Sequence, residues 1–217
     1  DLIGQKLHCF WKWKSSRKDA VNMNLTKDDN VIKKFNRIEG RCIEKIYGQD
    51  RFGYSQSDFE DLYDLIKWAE QGGYQGSELR FYDFHTGEVY KPFDKKRNVV
   101  YGAPVYVEKF LYFLQGDYDK KKVTLYRYIP EKVLEKVTEL NMEEVNLYNL
   151  AIIGNPLYII SQDNEDGFRC YYPEKISFPL QERESVVLIE DEKVYLEEWV
   201  EEGWDDENDC ATDTYQY

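Results

Sequence analysis

Any chemistry in this chain has to come from carboxylates. It holds 42 Asp and Glu residues against two histidines, His8 and His85. That leaves almost no material for a Ser–His–Asp triad or a multi-histidine metal centre. His85 falls in the turn Phe84-His85-Thr86-Gly87, and His8 sits inside an apolar run beside Cys9, so both read as structural. No GxSxG, HExxH, GxxxxGK[ST] or GxGxxG pattern occurs. A glycosidase needs two carboxyl groups flanking a sugar bond, about 5 Å or about 6.5–9.5 Å apart depending on mechanism. No acid stands alone in an apolar inner strand, where a general acid of raised pKa would be kept. Glu108 comes nearest, between Val107 and Lys109, and its lysine neighbour points to a solvated pair.

Cation binding fares no better. Asp205, Glu207 and Asp209 alternate as calcium ligands do, but Cys210 stands where the EF-hand turn needs glycine, and no bidentate Glu follows. Gln162–Gly167 (QDNEDG) reads first as a hairpin loop. No metal and no cofactor are expected. Aromatic side chains beside polar loops are the other recognition feature: Trp11, Trp13, Trp68, Tyr118 and Trp204 lie at or near turns. Packing is the default role for such rings. Trp204, flanked by Gly203 and Asp205 outside any expected strand, is the best exception. The expected ligand-binding residues are therefore Trp13, Asp117, Tyr118, Trp204, Asp205 and Asp206.

The elements that would position these residues repeat along the chain. VTLYRYIPEKVLEKV (123–137) reads as strand, tight turn at Pro130-Glu131, strand. The same grammar recurs in IKKFNRIEGRCIEKI from Ile32, LRFYDFHTGEVYKPF from Leu79 and FRCYYPEKISFPL from Phe168, at steps of 47, 44 and 45 residues. A further strand precedes each hairpin or its counterpart: Leu7–Trp13, Phe110–Leu114, Pro156–Ser161 and Val194–Trp199. Two units add an inner strand, Val99–Val107 and Leu147–Ile153, where Gly102-Ala103-Pro104 and Gly154-Asn155-Pro156 read as turns or bends between innermost strands. Four short antiparallel strands repeating every 40–50 residues are the blades of a β-propeller. The expected fold is all-β: one domain, 1–217, of five propeller-like units at about 2–48, 57–94, 99–140, 147–180 and 186–217, the fifth incomplete. Within unit two, Leu62–Trp68 aligns as a strand with Phe110–Gly116. Read as a helix, the same stretch has Ser57 as cap, apolar residues at 59, 62, 63, 66 and 69, and Gly72 as stop, so the alternative is an α+β domain with a helix near 57–72.

Composition bounds the partners. Net charge is -13, and Glu190–Asp209 alone holds eleven acids and one base, Lys193. Phosphate contacts need a basic footprint, so nucleic acid is not expected. No apolar run approaches the roughly 18 residues that cross a bilayer, so no membrane partner is expected. The 19 Tyr, 11 Phe and 5 Trp lean towards β structure. Cys9, Cys42, Cys170 and Cys210 are too sparse for a disulfide framework and read as reduced, mostly buried thiols, with the cytoplasm the favoured location. No charged segment followed by an apolar one opens the chain, so no secretory signal is visible, though a start on Asp1 rather than Met leaves room for a removed leader. The abrupt stop at Tyr217 suggests further residues in a parent protein. If unit five meets unit one, the acidic loop Glu201–Asp209 would face Lys12, Lys14, Arg17 and Lys18 and guide ring closure.

The expected function is non-catalytic: an interaction domain presenting one loop-rich face to a protein, peptide or glycan. The rival is a glycoside hydrolase with a carboxylate pair at the propeller centre. A third reading, a structural module in a larger assembly, would show as a large exposed apolar patch.

Overall fold

The computed structural model describes residues 42–58, 61–190, 193–198, 202–205 and 210–216, with Glu190 and the last two segments described through their backbone alone. They are all-β apart from one five-residue α-helix and a 3-10 turn at Met142–Glu144. Three antiparallel meanders follow one another. The first runs β1 (Glu44–Lys45), β2 (Phe52–Gln56), β3 (Leu79–Asp83), β4 (Val89–Tyr90), in that spatial order, with α1 (Ile66–Glu70) inserted between β2 and β3. The second comprises β5 (Val99–Tyr101), β6 (Val105–Val107), β7 (Phe110–Asp117), β8 (Lys122–Ile129) and β9 (Val133–Asn141). The third is β10 (Ala151–Ile153), β11 (Tyr158–Asp163), β12 (Gly167–Tyr172) and β13 (Ile176–Phe178). Two hairpins follow, β14 (Glu184–Glu190) with β15 (Lys193–Glu198), and β16 (Glu202–Asp205) with β17 (Cys210–Gln216). None of these sheets closes on itself.

The third strands of the meanders open at Leu79, Lys122 and Gly167, within one residue of the positions read from sequence. The three meanders also pack on one another in sequence order, which is why these strands do not alternate apolar with polar. In β7, Leu111 and Phe113 face the first sheet while Leu114 faces the third. The seam between first and second sheets is aromatic. Phe113, fully buried, has the rings of Phe81, Phe93, Tyr101, Tyr126 and Tyr128 around it at centroid separations of 5.8 to 6.4 Å. The seam between second and third sheets is aliphatic: Val100, Leu114, Val123 and Leu125 meet Leu150, Ile152 and Ile159. A smaller cluster, Ile160, Phe168 and Cys170 with Val186 and Ile189, joins the third sheet to β14. Beyond it, Val187, Leu188, Val194, Tyr195 and Leu196 remain exposed on the β14–β15 hairpin.

Several expectations need correction. Leu62–Trp68 is not a strand: Leu62–Leu65 form turns leading into α1. The deciding pattern is Leu62, Leu65, Ile66 and Ala69, which falls at i, i+3, i+4 and i+7 and turns one face inward. The helix is shorter than the 57–72 alternative, but Gly72 does stop it. At φ 67° Gly72 donates to Ala69 O (2.9 Å) and Gly73 to Trp68 O (2.8 Å), a Schellman closure. The strand paired with β3 is β2, so the second unit opens at Glu44, inside the stretch assigned to the first. Gly102-Ala103-Pro104 does not separate two neighbouring strands. β5 and β6 both pair with β7, so the interruption is a break within one edge strand, with Gly102 N–H still donating to Leu114 O at 2.9 Å. In the fifth unit, Glu202–Asp205 is strand rather than acidic loop, and its partner runs Cys210–Gln216. Cys170 is buried as expected; Cys42 is exposed. Leu7–Trp13, the Ile32 strand and its turn at Gly40, and the basic partners Lys12, Lys14, Arg17 and Lys18 lie outside the described residues.

Candidate functional site

The connections between second and third strands of the three meanders lie along one rim. Tyr118, in the β7–β8 turn, donates its hydroxyl to Leu62 O in the insertion between β2 and β3. The Tyr63 ring of that insertion meets Tyr148 edge to face, with centroids 5.8 Å apart and planes at 88°. Asn146, two residues before Tyr148, donates its amide to Asp163 (2.8 Å) and Asp166 (3.2 Å) of the β11–β12 turn. Tyr63, Trp68 and Tyr148 are exposed along this rim.

One device recurs in three turns, β7–β8 and β11–β12 on this rim and β3–β4 at the other end of its sheet: an aspartate ends the strand and its carboxylate takes the N–H groups of the loop. Asp83 Oδ1 accepts from His85 N (2.8 Å) and Thr86 N (3.2 Å). Asp117 Oδ1 accepts from Lys120 N (3.2 Å), and Asp163 Oδ1 from Glu165 N (2.9 Å) and Asp166 N (2.5 Å). Four residues on, each loop turns through positive φ, at Gly87 (81°), Lys121 (54°) and Gly167 (72°). The second carboxylate oxygen is engaged too: Asp83 with Arg51 at 2.7 Å, Asp117 with Lys96 at 2.9 Å, Asp163 with Asn146. Burial works against ionising Asp83 and Asp117, but Arg51 and the turn N–H groups for the first, and Lys96 and Lys120 for the second, outweigh it and hold both carboxyls below their usual value.

Among the six residues expected to bind, the structure brings Asp117 and Tyr118 to the rim and engages both internally. Asp117 is 4% exposed, with Lys96 and Lys120 on its carboxylate. Tyr118 is half-buried against the α1 cluster, and burial pushes its phenol well above the usual range. Trp204 and Asp205 lie on the β16 backbone, and Trp13 and Asp206 lie outside the described residues.

Two shallow concavities flank the β11–β12 turn. The larger, about 570 Å³, runs from Glu144 past Asp166 and Arg169 to Lys175. The smaller, about 250 Å³, lies between Tyr148 and Glu184, and the two share Asn164 and Leu180. Sequence reasoning missed Tyr148, Asn146 and Asn149. The legible signal was Asn146-x-x-Asn149 around a tyrosine ahead of a strand, a pattern of local side-chain bonding to backbone. Among the described residues no group of three or more His, Cys, Asp or Glu is placed to hold a metal ion, and no helix is long and apolar enough to cross a membrane. No family model, curated protein or solved structure matches the chain.

Proposed function

We propose that this chain is a non-catalytic binding module whose sheets are successive blades of a β-propeller-like array, and that it presents the second-to-third-strand rim to a ligand. What supports the array is the stacking of three antiparallel meanders of four or five strands in sequence order, joined through apolar seams, with the third packed on β14. The single observation behind the binding reading is the rim itself: Tyr63, Trp68 and Tyr148 exposed along it, Tyr148 lining one of two open concavities, with the β7–β8 and β11–β12 turns fixed by carboxylate caps. Loops on a rigid scaffold are where binding residues concentrate.

One observation favours the rival hydrolase reading. Asp163 and Asp166 both accept from the Asn146 amide nitrogen, at 2.8 and 3.2 Å, so their oxygens lie within about 6 Å of each other, close to the spacing of a retaining pair. Their other oxygens count against it, since Asp163 Oδ1 holds two turn N–H groups and Asp166 Oδ1 holds Arg169 at 2.8 Å. A glycan array and a displayed peptide library, run beside a panel of chromogenic glycosides, separate the two. Retention of a ligand without turnover is the expected result. Hydrolysis at enzyme-like rates that Asp166→Asn abolishes would overturn it.

A further inference from the structure

We infer that the smaller concavity beside Tyr148 binds one residue of a neutral oligosaccharide, with the Tyr148 ring as its stacking platform; this rests on the binding-module reading above. At about 250 Å³ the site lies below the roughly 300–1,000 Å³ that drug-sized ligands occupy, and suits a single sugar ring. It is too short for the several residues that a peptide needs to add as a strand.

The walls are already fixed. Asn146 accepts Tyr148 N–H through its side-chain oxygen (3.0 Å) and gives its amide to Asp163 (2.8 Å). Asn149, at φ 53°, gives its amide to Gln162 O (3.3 Å). The Gln162 side chain then clamps β14 from the other side, accepting Val186 N–H (2.7 Å) and donating to Val186 O (3.3 Å). A ligand therefore does not have to order this site, which lowers the cost of binding.

The groups left over suit a sugar. Asn164 and Ser185 line the concavity, and their side chains make no hydrogen bond among the described residues. An amide supplies both donor and acceptor, and a hydroxyl can serve as either, which matches adjacent sugar hydroxyls. Tyr148 keeps 46% of its surface exposed beside its edge-to-face contact with Tyr63, and an aromatic ring's face is electron-rich towards the C–H face of a pyranose. Charge selects against acidic glycans: Asp163 and Glu184 line the small site, and Glu144, Glu165 and Asp166 outnumber Arg169 and Lys175 in the larger one. Because Asn164 and Leu180 belong to both concavities, a second and third sugar would continue across the turn.

The test uses the full chain with cellotriose, mannotriose and triacetylchitotriose as neutral probes, and a hyaluronan tetrasaccharide as the anionic one, read by saturation-transfer NMR and titration calorimetry. At least one neutral trisaccharide should bind, more tightly than its monosaccharide. Tyr148→Ala should weaken it about tenfold or more and Tyr148→Phe only a few-fold, while Tyr47→Ala, an exposed aromatic in the β1–β2 turn away from the rim, leaves it unchanged, with unaltered melting of each variant. The inference is overturned if no neutral probe binds, if hyaluronan is preferred, or if binding survives Tyr148→Ala. A displayed peptide that binds independently of Tyr148, with no sugar bound, would sink the sugar inference and keep the binding module. Hydrolysis of the probe would remove the module reading itself.

Discussion

Asp83 shows how single acids are used in this chain. Its side chain is fully buried, yet it keeps its charge because two turn N–H groups and Arg51 surround it. The Arg51 hydrogen bonds are the largest influence favouring the charge and the turn N–H groups come next, although the half-exposed guanidinium leaves the ion pair partly screened by solvent. With its folded pKa depressed below the unfolded value of about 3.9, Asp83 stabilises the fold above about pH 4 and loses that contribution as pH falls further. Asp83→Asn should therefore cost about 1–2 kcal/mol at pH 7 and progressively less towards pH 3. Urea denaturation across that range checks it. An equal loss at pH 7 and pH 3 would show that the charge is not what matters.

At the scale of elements, the aspartate turns differ in how much room they leave at the positive-φ position. A Cβ on Gly167 would lie 2.5 Å from Phe178 O and 2.9 Å from Pro179 Cα, both backbone atoms that cannot swing away. Gly167→Ala should therefore cost about 2 kcal/mol or more, from the left-handed conformation and the clash together. In the β7–β8 turn the same place is held by Lys121, exposed and paired with Glu143 at 2.6 Å. Lys121→Gly should change stability by no more than about 1 kcal/mol, because relief of the left-handed strain offsets loss of an exposed pair. Thermal melts of the two variants side by side decide it. Equal losses would mean that the wall of β13 does not constrain the turn.

On the scale of the molecule, the seams between sheets order the fold. The second sheet is buried on both faces, by the aromatic cluster on one side and the aliphatic one on the other, whereas the β14–β15 hairpin shows five apolar side chains 37 to 49% exposed. A closed propeller has no terminal sheet, so its hairpins share the protection of their neighbours. Native-state hydrogen exchange is the measurement. If the array is a propeller, β14–β15 amides should exchange within about tenfold of β7–β8 amides. Rates near those of an unprotected chain in β14–β15 would count against it.

Strand identity, the step from one third strand to the next and the absence of one wet face were legible because they rest on local chemistry: β-branched and aromatic runs, Gly and Pro punctuation, and two-sided apolarity in Val123–Ile129. Tertiary structure decided what local signals left balanced. Leu62–Trp68 fits strand and helix alike until Leu62 and Leu65 are placed against Val100 and Val123, when only the helical period buries both. Glu44–Lys45 carries no mark of which hairpin it joins, and pairing with β2 across the turn from Ile46 to Arg51 settles it. The rim is the clearest case. Asp117 and Tyr118 looked available in sequence because their partners, Lys96 and Leu62, lie 21 and 56 residues away. Tyr148 looked ordinary because the loop that frames it is tied down by Asp163 and Gln162, residues brought to it only when the third meander folds.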